Sequence, residues 1–516
     1  GPLLQQSSVP VWSAGETRLQ ESTQIQDTLT KAPGVIFTQN GGVGGRGALY
    51  LRGGESRHTV MLIDGMRQND PSSTDRSVDT GFLLTPFFKD LLFLQGPSPV
   101  LYGGDATSGV IELIPRRGND PRESTLGLSY GSFDARQGFG VVDWKAGSHQ
   151  GSAGLSHLHT RGFSRLNRKR YGAHEADGAE TTQGFQASRH QWKENLHTDL
   201  LLYGYTGQAE LDGSTGDTKD HTNNQQGTFN QTTRGQFDGG DWWLRTGVVS
   251  QKREMFAVGS ADETFRGQVR LVQLGGHWQR SVFEGFAGLG GEQEWVGLPG
   301  VSAQNDLGHV FVLGRASQAG WLFEVGGRGE HHQRYGNFFA HEATLKKEVN
   351  DNLTIYAKEA QGYKPPSLYQ LYSPPVNGFS MGNINLSPER NQSRELGLNW
   401  KRAGEISAVV FQQDFTNLIA YTNAGYLNRG SLRVRGVEGS VLSPEHFWGQ
   451  VSLTTAFLDF SHYQETPLRR PPNLTSAGWQ NSWGKWGAEL NFRMVGGRKD
   501  LSPSRAAVRL VAYELL

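Results

Sequence analysis

From about residue 123 onward the chain alternates. Within 395–401 the odd positions are Glu395, Gly397, Asn399 and Lys401, while the even ones are Leu396, Leu398 and Trp400. Trp321, Phe323 and Val325 alternate in the same way with Leu322, Glu324 and Gly326, and a less regular version spans 283–294. A period of two sends successive side chains to opposite faces of a strand, so this stretch predicts many antiparallel strands, each with a wet face and a greasy one. Before residue 123 the pattern is mixed. Thr23 and Gln26 have the spacing of a capping box, Ile25 and Leu29 share a helical face, and Pro33-Gly34 ends the helix. Short apolar runs at 35–37, 48–51, 59–63, 91–94 and 110–114 read as strands, the third closed by the hairpin turn Asp64-Gly65. The expected division is a mixed α/β domain over 1–120 and a β domain over 121–516.

The greasy faces have two possible partners: a second sheet, as in a soluble sandwich, or lipid. Two features favour lipid. Aromatic residues gather at segment ends (Trp242-Trp243, Trp321, Tyr369 and Tyr372, Phe447-Trp448, Trp479, Trp483, Trp486), as interfacial girdles require. The opposite face is rich in glycine and charge, which suits a polar lumen better than a packed core. Spread over 20–22 strands, the second domain leaves about 18 residues for each strand and its connection. The fold class expected is therefore mostly β: a transmembrane antiparallel β-barrel of 20–22 strands.

Composition narrows the function. Mean hydropathy is -0.53, and no run approaches the roughly 18 apolar residues of a spanning helix, which leaves a barrel open because its strands alternate. The 516 residues hold 50 basic and 50 acidic side chains, so nothing draws the chain electrostatically to nucleic acid. Absence of cysteine removes disulfides, thiol nucleophiles and thiolate metal sites. No signal peptide is evident, which reads as a mature chain, and Gly1-Pro2 as a cloning remnant. Gly42 to Gly47 satisfies the GxGxxG spacing, but the residues that follow, 48–51, read as a strand rather than a helix, so a dinucleotide site is rejected in favour of a loop. No serine, histidine and carboxylate grouping suggests an enzyme. Neighbours His331 and His332 fall on opposite strand faces and cannot readily share a metal.

Five blocks occur in a telling order: Ala32-Pro33-Gly34-Val35, Leu51-Arg52-Gly53-Gly54, Val60 through Arg67, Gln95 through Gly103, and Ser108-Gly109-Val110-Ile111. The series resembles the plug domain of TonB-dependent outer-membrane receptors. Later segments, Tyr363 through Leu368, Asn385 through Arg390, Glu395-Leu396-Gly397, Asn417-Leu418-Ile419 and Val434 through Glu438, are similar to barrel segments of that family. Leu468-Arg469-Arg470-Pro471 makes the cobalamin receptor branch the nearest resemblance, although siderophore receptors share these blocks. The resemblance implies an N-terminal plug inside the barrel lumen, in the outer membrane of a Gram-negative bacterium. It further implies import of a large scarce nutrient, cobalamin or a ferric siderophore, energised by the TonB–ExbB–ExbD complex, with an accessory lipoprotein as a further partner. It also implies a plug–barrel lock in which Arg52 meets Glu395 and Glu438, with Gln95 standing where a second arginine is usual.

Candidate substrate contacts are the polar residues of the plug's apical loops: Gln39, Asn40 and Arg46 on one, and Gln68, Asn69, Asp70, Ser72 and Ser73 on another. No cofactor is required. Glu210, Asp212, Asp217 and Asp220 form an acidic loop whose oxygen ligands suit Ca²⁺, a metal that the cobalamin branch uses, or simply a solvated loop. The lack of a recognisable TonB-contacting box, together with Gln95 in place of an arginine, opens a second reading, a non-transporting barrel serving as a structural or docking part of an envelope assembly. Leu3-Leu4-Gln5-Gln6 does not resemble a TonB-contacting box, and Leu510 through Leu516 lacks a terminal aromatic, with one hairpin fewer than usual.

Overall fold

The computed structural model describes residues 4, 7–20, 22–118, 120–164, 176–212, 218–375, 381–463, 467–484, 486–501 and 507–515. Among these, twenty antiparallel strands close into a barrel that begins at Thr125–Gly131 and ends at Ala507–Leu515, the last strand lying beside the first. Closure leaves no unpaired edge to face hydrocarbon, where each unmet backbone group costs several kcal/mol. No helix is long and apolar enough to cross a membrane.

The barrel wall is inside out relative to a soluble protein. In Glu389–Lys401, Glu395 is 5% exposed and points into the lumen, while its neighbour Leu396 is 59% exposed on the outer surface. In Trp321–His332, Phe323 and Val325 face out, whereas Glu324 and Arg328 are buried inside. The period-two alternation thus marks the two faces correctly, and the polar one is the covered one. Connections at 194–195, 238–239, 281–282, 319–320 and 351–352 are tight turns on one rim; longer ones, such as 365–388 and 417–430, lie on the other. Short turns face the periplasm and long loops the exterior in such barrels. Exposed Trp192, Trp242, Trp278, Trp321 and Trp483 ring the short-turn rim, as an interfacial belt should. Three expected members of that belt sit elsewhere: Trp243 is buried in the lumen, and Tyr369 and Tyr372 lie on the helix Leu368–Tyr372 at the long-loop rim.

A five-stranded sheet fills the lumen, in the order Trp12–Gly15, Phe88–Gln95, Gly109–Pro115, Thr59–Ile63, Met66–Arg67. Asp64 and Gly65, both at positive φ, make the tight turn between the last two strands. The helix Ile25–Leu29 buries Ile25 and Leu29 completely; its cap is Gln24 with Asp27, one residue later than the expected Thr23 and Gln26. The sheet's apolar face packs partly on itself and partly on the wall, where Phe87 stacks on Phe185 with ring centroids 4.5 Å apart.

Candidate functional site

Arg52 sits at a left-handed turn (φ 48°) followed by Gly53 (φ 77°), a geometry that turns its side chain out of the plug toward the wall. Its Nη1 donates to Glu395 Oε2 at 2.5 Å and its Nε to Glu438 Oε2 at 2.9 Å, with the guanidinium carbon 4.6 Å above the Phe411 ring. The three residues expected to meet do meet, and all are buried. Two glycines of the plug blocks explain themselves here. A Cβ on Gly34 would lie 2.6 Å from Glu438 Oε1, and one on Gly96 would lie 2.6 Å from Arg52 Nη1. Gln95, in place of a second arginine, donates to the Pro33 carbonyl at 2.5 Å. Sequence reasoning missed the companions of this lock. Arg57 and His58 both reach Glu389, at 2.9 and 2.8 Å, and Arg470 reaches Glu55 at 2.7 Å.

At the long-loop rim the eight expected substrate contacts divide. Gln68, Asn69, Asp70, Ser72 and Ser73 are buried and engaged in the fold. Gln68 Oε1 accepts from Gln226 and Thr228, Asn69 bonds to the backbone of Met61, Thr59 and Arg76, and Asp70 caps Ser72. Ser73 donates to the Asp70 carbonyl. These side chains order the apex rather than face outward, because a tight loop inside a barrel must satisfy its own polar groups. Gln39 is partly buried against Gln26 and Gly45. Asn40 and Arg46 remain exposed, with Arg46 held by Asp75 at 3.2 Å.

Beside that apex a cavity of about 450 Å³ opens between plug and wall. Its floor is a charge network that the sequence did not suggest: Arg76 bonds Glu294 and reaches Glu292 (2.9 Å) and Asp105 (2.5 Å), and Arg67 reaches Asp105 at 2.6 Å. Burial alone would raise the Asp105 carboxyl, but the two guanidiniums hold it below the usual carboxylate range. Its rim is aromatic and cationic. Arg334 donates to the Tyr372 hydroxyl at 3.1 Å and lies over the Tyr335 and Tyr372 rings. The helix bearing Tyr372 is fixed by Ser367, which accepts from the Gln370 N–H and donates to the Thr74 carbonyl of the plug, each at 3.0 Å. Ser367 and Gln370 form a capping box, a spacing that was readable in the sequence.

Among the described residues no three metal-ligating side chains gather. Glu210 accepts from the Gly178 N–H, Asp212 from Ser164, and Asp220 from the Val258 N–H, while Asp217 lies outside the described residues. Among the described residues, Glu210, Asp212 and Asp220 cap separate connections and do not gather on one another. His331 and His332 point to opposite faces, the first exposed and bonded to Asn337, the second buried beside Tyr363.

The sequence matches the family description "TonB dependent receptor-like, beta-barrel" over residues 114–516 and "TonB-dependent Receptor Plug Domain" over 4–110. The chain belongs to the TonB-dependent receptors. It is similar in fold to the siderophore receptor PirA from Acinetobacter baumannii (TM-score 0.82, 15% identity, 99% of this chain and 88% of that one). The ferric enterobactin receptor PfeA aligns with TM-score 0.80 and 15% identity over 96% of this chain and 87% of its own. The copper transporter OprC gives TM-score 0.79 and 14% identity over 95% and 85%. At such identities the likeness carries the fold alone. The family is one of outer-membrane receptors and transporters, not of enzymes.

Proposed function

We propose that this receptor imports an anionic ferric siderophore, ahead of cobalamin, and that the plug, 1–120, is displaced within the barrel, 121–516, when the TonB complex pulls on it. The observation that carries this reading is the outer cavity, where Arg334 and the Tyr335 and Tyr372 rings surround the mouth and Asn40 and Arg46 stand exposed on the plug apex. Aromatic faces and guanidiniums favour a flat, negatively charged chelate over a neutral corrinoid. The structural neighbours named for siderophores and enterobactin support the same choice. The lock of Arg52 with Glu395 and Glu438 acts in this reading as the resting clamp.

The test is equilibrium binding of ferric catecholate and hydroxamate siderophores, and of cyanocobalamin with added Ca²⁺, followed by uptake in cells with and without TonB. Tight binding of one ferric siderophore with TonB-dependent uptake is expected. Binding of cyanocobalamin alone would restore the cobalamin reading, and no uptake of either would favour the docking role.

A further inference from the structure

A second cavity of about 440 Å³ lies on the periplasmic side of the plug, reaching from Gln236 and Asp241 near the 238–239 turn up to Arg67, Glu292 and Arg328. Those last three residues also line the outer cavity, so a single layer of side chains separates the two. Arg67 Nε and Glu292 Oε2 stand 4.0 Å apart within that layer.

Two arginines of the inner cavity, Arg234 and Arg245, lack a close carboxylate partner among the described residues. Asp64 is taken by Arg117 at 2.5 Å, and Asp199 by Arg189 through two bonds of 2.6 and 3.0 Å. Among the described residues Arg234 is left with Asp199 at 4.0 Å as its nearest carboxylate, and Arg245 bonds the Gly65 carbonyl and the Thr232 hydroxyl. Burial pushes the Glu112 carboxyl up to about 7, so it is only partly ionised near neutral pH. Unpartnered polar atoms line the same space: Trp243 Nε1, Arg117 Nε, the Tyr102 hydroxyl and Glu112 Oε2 have no hydrogen-bond partner among the described residues, and the first three can donate. Buried polar atoms are seldom left unmet, and a set of donors converging on one polar cavity calls for acceptors.

We propose that this inner cavity is an oxyanion-binding site, built by Arg234 and Arg245, for a small multiply charged carboxylate or catecholate. The same chemistry has two sources, a free oxyanion from the periplasm or the edge of a chelate crossing the Arg67–Glu292 layer; the second places the site on the exit path. The exit role rests on the import reading, whereas the site itself does not.

Calorimetric titration of the full chain in detergent with citrate tests the site. Wild type is expected to bind, R234Q and R245Q each to weaken binding about tenfold, and R234Q/R245Q to abolish it. R245K, which keeps the charge, and R334Q, at the outer rim, are expected to retain binding. Heat-dependent gel mobility verifies that each barrel has closed, and R245K carries the comparison if R245Q does not. Absence of citrate binding by wild type, or unchanged binding in the double variant, overturns the site. Uptake separates the sources. A fall in ferric siderophore uptake in R234Q/R245Q with outer binding intact supports the exit path, and unchanged uptake overturns it. A wild-type protein that binds citrate but imports no siderophore refutes the import reading while leaving the site standing.

Discussion

Arg52 of the plug and Glu438 of the barrel wall, 386 residues apart in sequence, meet at 2.9 Å in a buried contact that also holds Glu395. A buried ion pair is weak evidence of net stability, because desolvation offsets much of the attraction, but removing one partner strands the others. The arginine therefore matters more by its loss than by its presence. Arg52→Met leaves two carboxylates uncompensated and is expected to weaken plug docking by about 3–5 kcal/mol. Adding Glu395→Gln and Glu438→Gln should recover most of that. Denaturant titration of the plug, followed by protease sensitivity, measures both.

Gly96→Ala should imitate part of that loss. Its φ of 88° disfavours any side chain, and the added Cβ would meet Arg52 Nη1 at 2.6 Å. A cost of about 1–3 kcal/mol is expected in the same titration, with little effect on barrel closure. Gly300, also at positive φ but with open space around it, is the control and should cost less on substitution by alanine.

The orientation of the wall is tested by Leu396→Arg. Leu396 faces lipid beside inward Glu395, so the substitution should cost about 2–4 kcal/mol if it lies near the midplane. An arginine at an inward position such as Gln413, where the lumen is polar, should disturb folding into lipid vesicles through crowding but not through lipid exposure. Its cost should therefore not depend on bilayer thickness, whereas that of Leu396→Arg should.

Glu112 predicts a pH dependence. Burial raises its carboxyl from 4.5 to about 7, against the pull of Arg245 and with the push of Asp64. The folded plug then holds a proton that the unfolded chain releases, so the associated stability is full below pH 4.5 and is lost as pH rises through 7. A loss of roughly 3 kcal/mol across that window is expected, and Glu112→Gln should flatten it. Asp105 has the opposite sign, since its carboxyl is held low; its contribution is lost only in acid, below the ordinary carboxylate range. The difference between wild type and Glu112→Gln in denaturation curves from pH 4.5 to 8 isolates Glu112.

The fold was legible where a repeat or an ordered series carried it. Alternation around Leu396 and Phe323 marks two faces without saying which is covered, and the girdle aromatics tip that choice toward lipid. Arg52, Glu395 and Glu438 were legible only through the block resemblance, because nothing local in Leu51-Arg52-Gly53 says what lies across a lumen. Asp70, Ser72 and Ser73 turn inward for a physical reason. Short polar side chains on a tight loop serve outward binding and inward turn bonding equally well in sequence, and only packing against the wall decides. The Arg76 network was invisible because its partners, Glu292, Glu294 and Asp105, come together from separate segments. The Ser367–Gln370 capping box was present as a spacing and was overlooked.

In the import reading the N-terminal domain stoppers the barrel and must move for transport. The chain has no cysteine, so one engineered pair can be joined without interference. Gln68→Cys on the plug and Thr228→Cys on the wall, whose native side chains are 3.0 Å apart, can be bridged by a reducible cross-linker. With the bridge in place, outer-face ligand binding should persist and TonB-dependent uptake should cease, returning on reduction. Full-rate uptake by the bridged receptor would contradict the account.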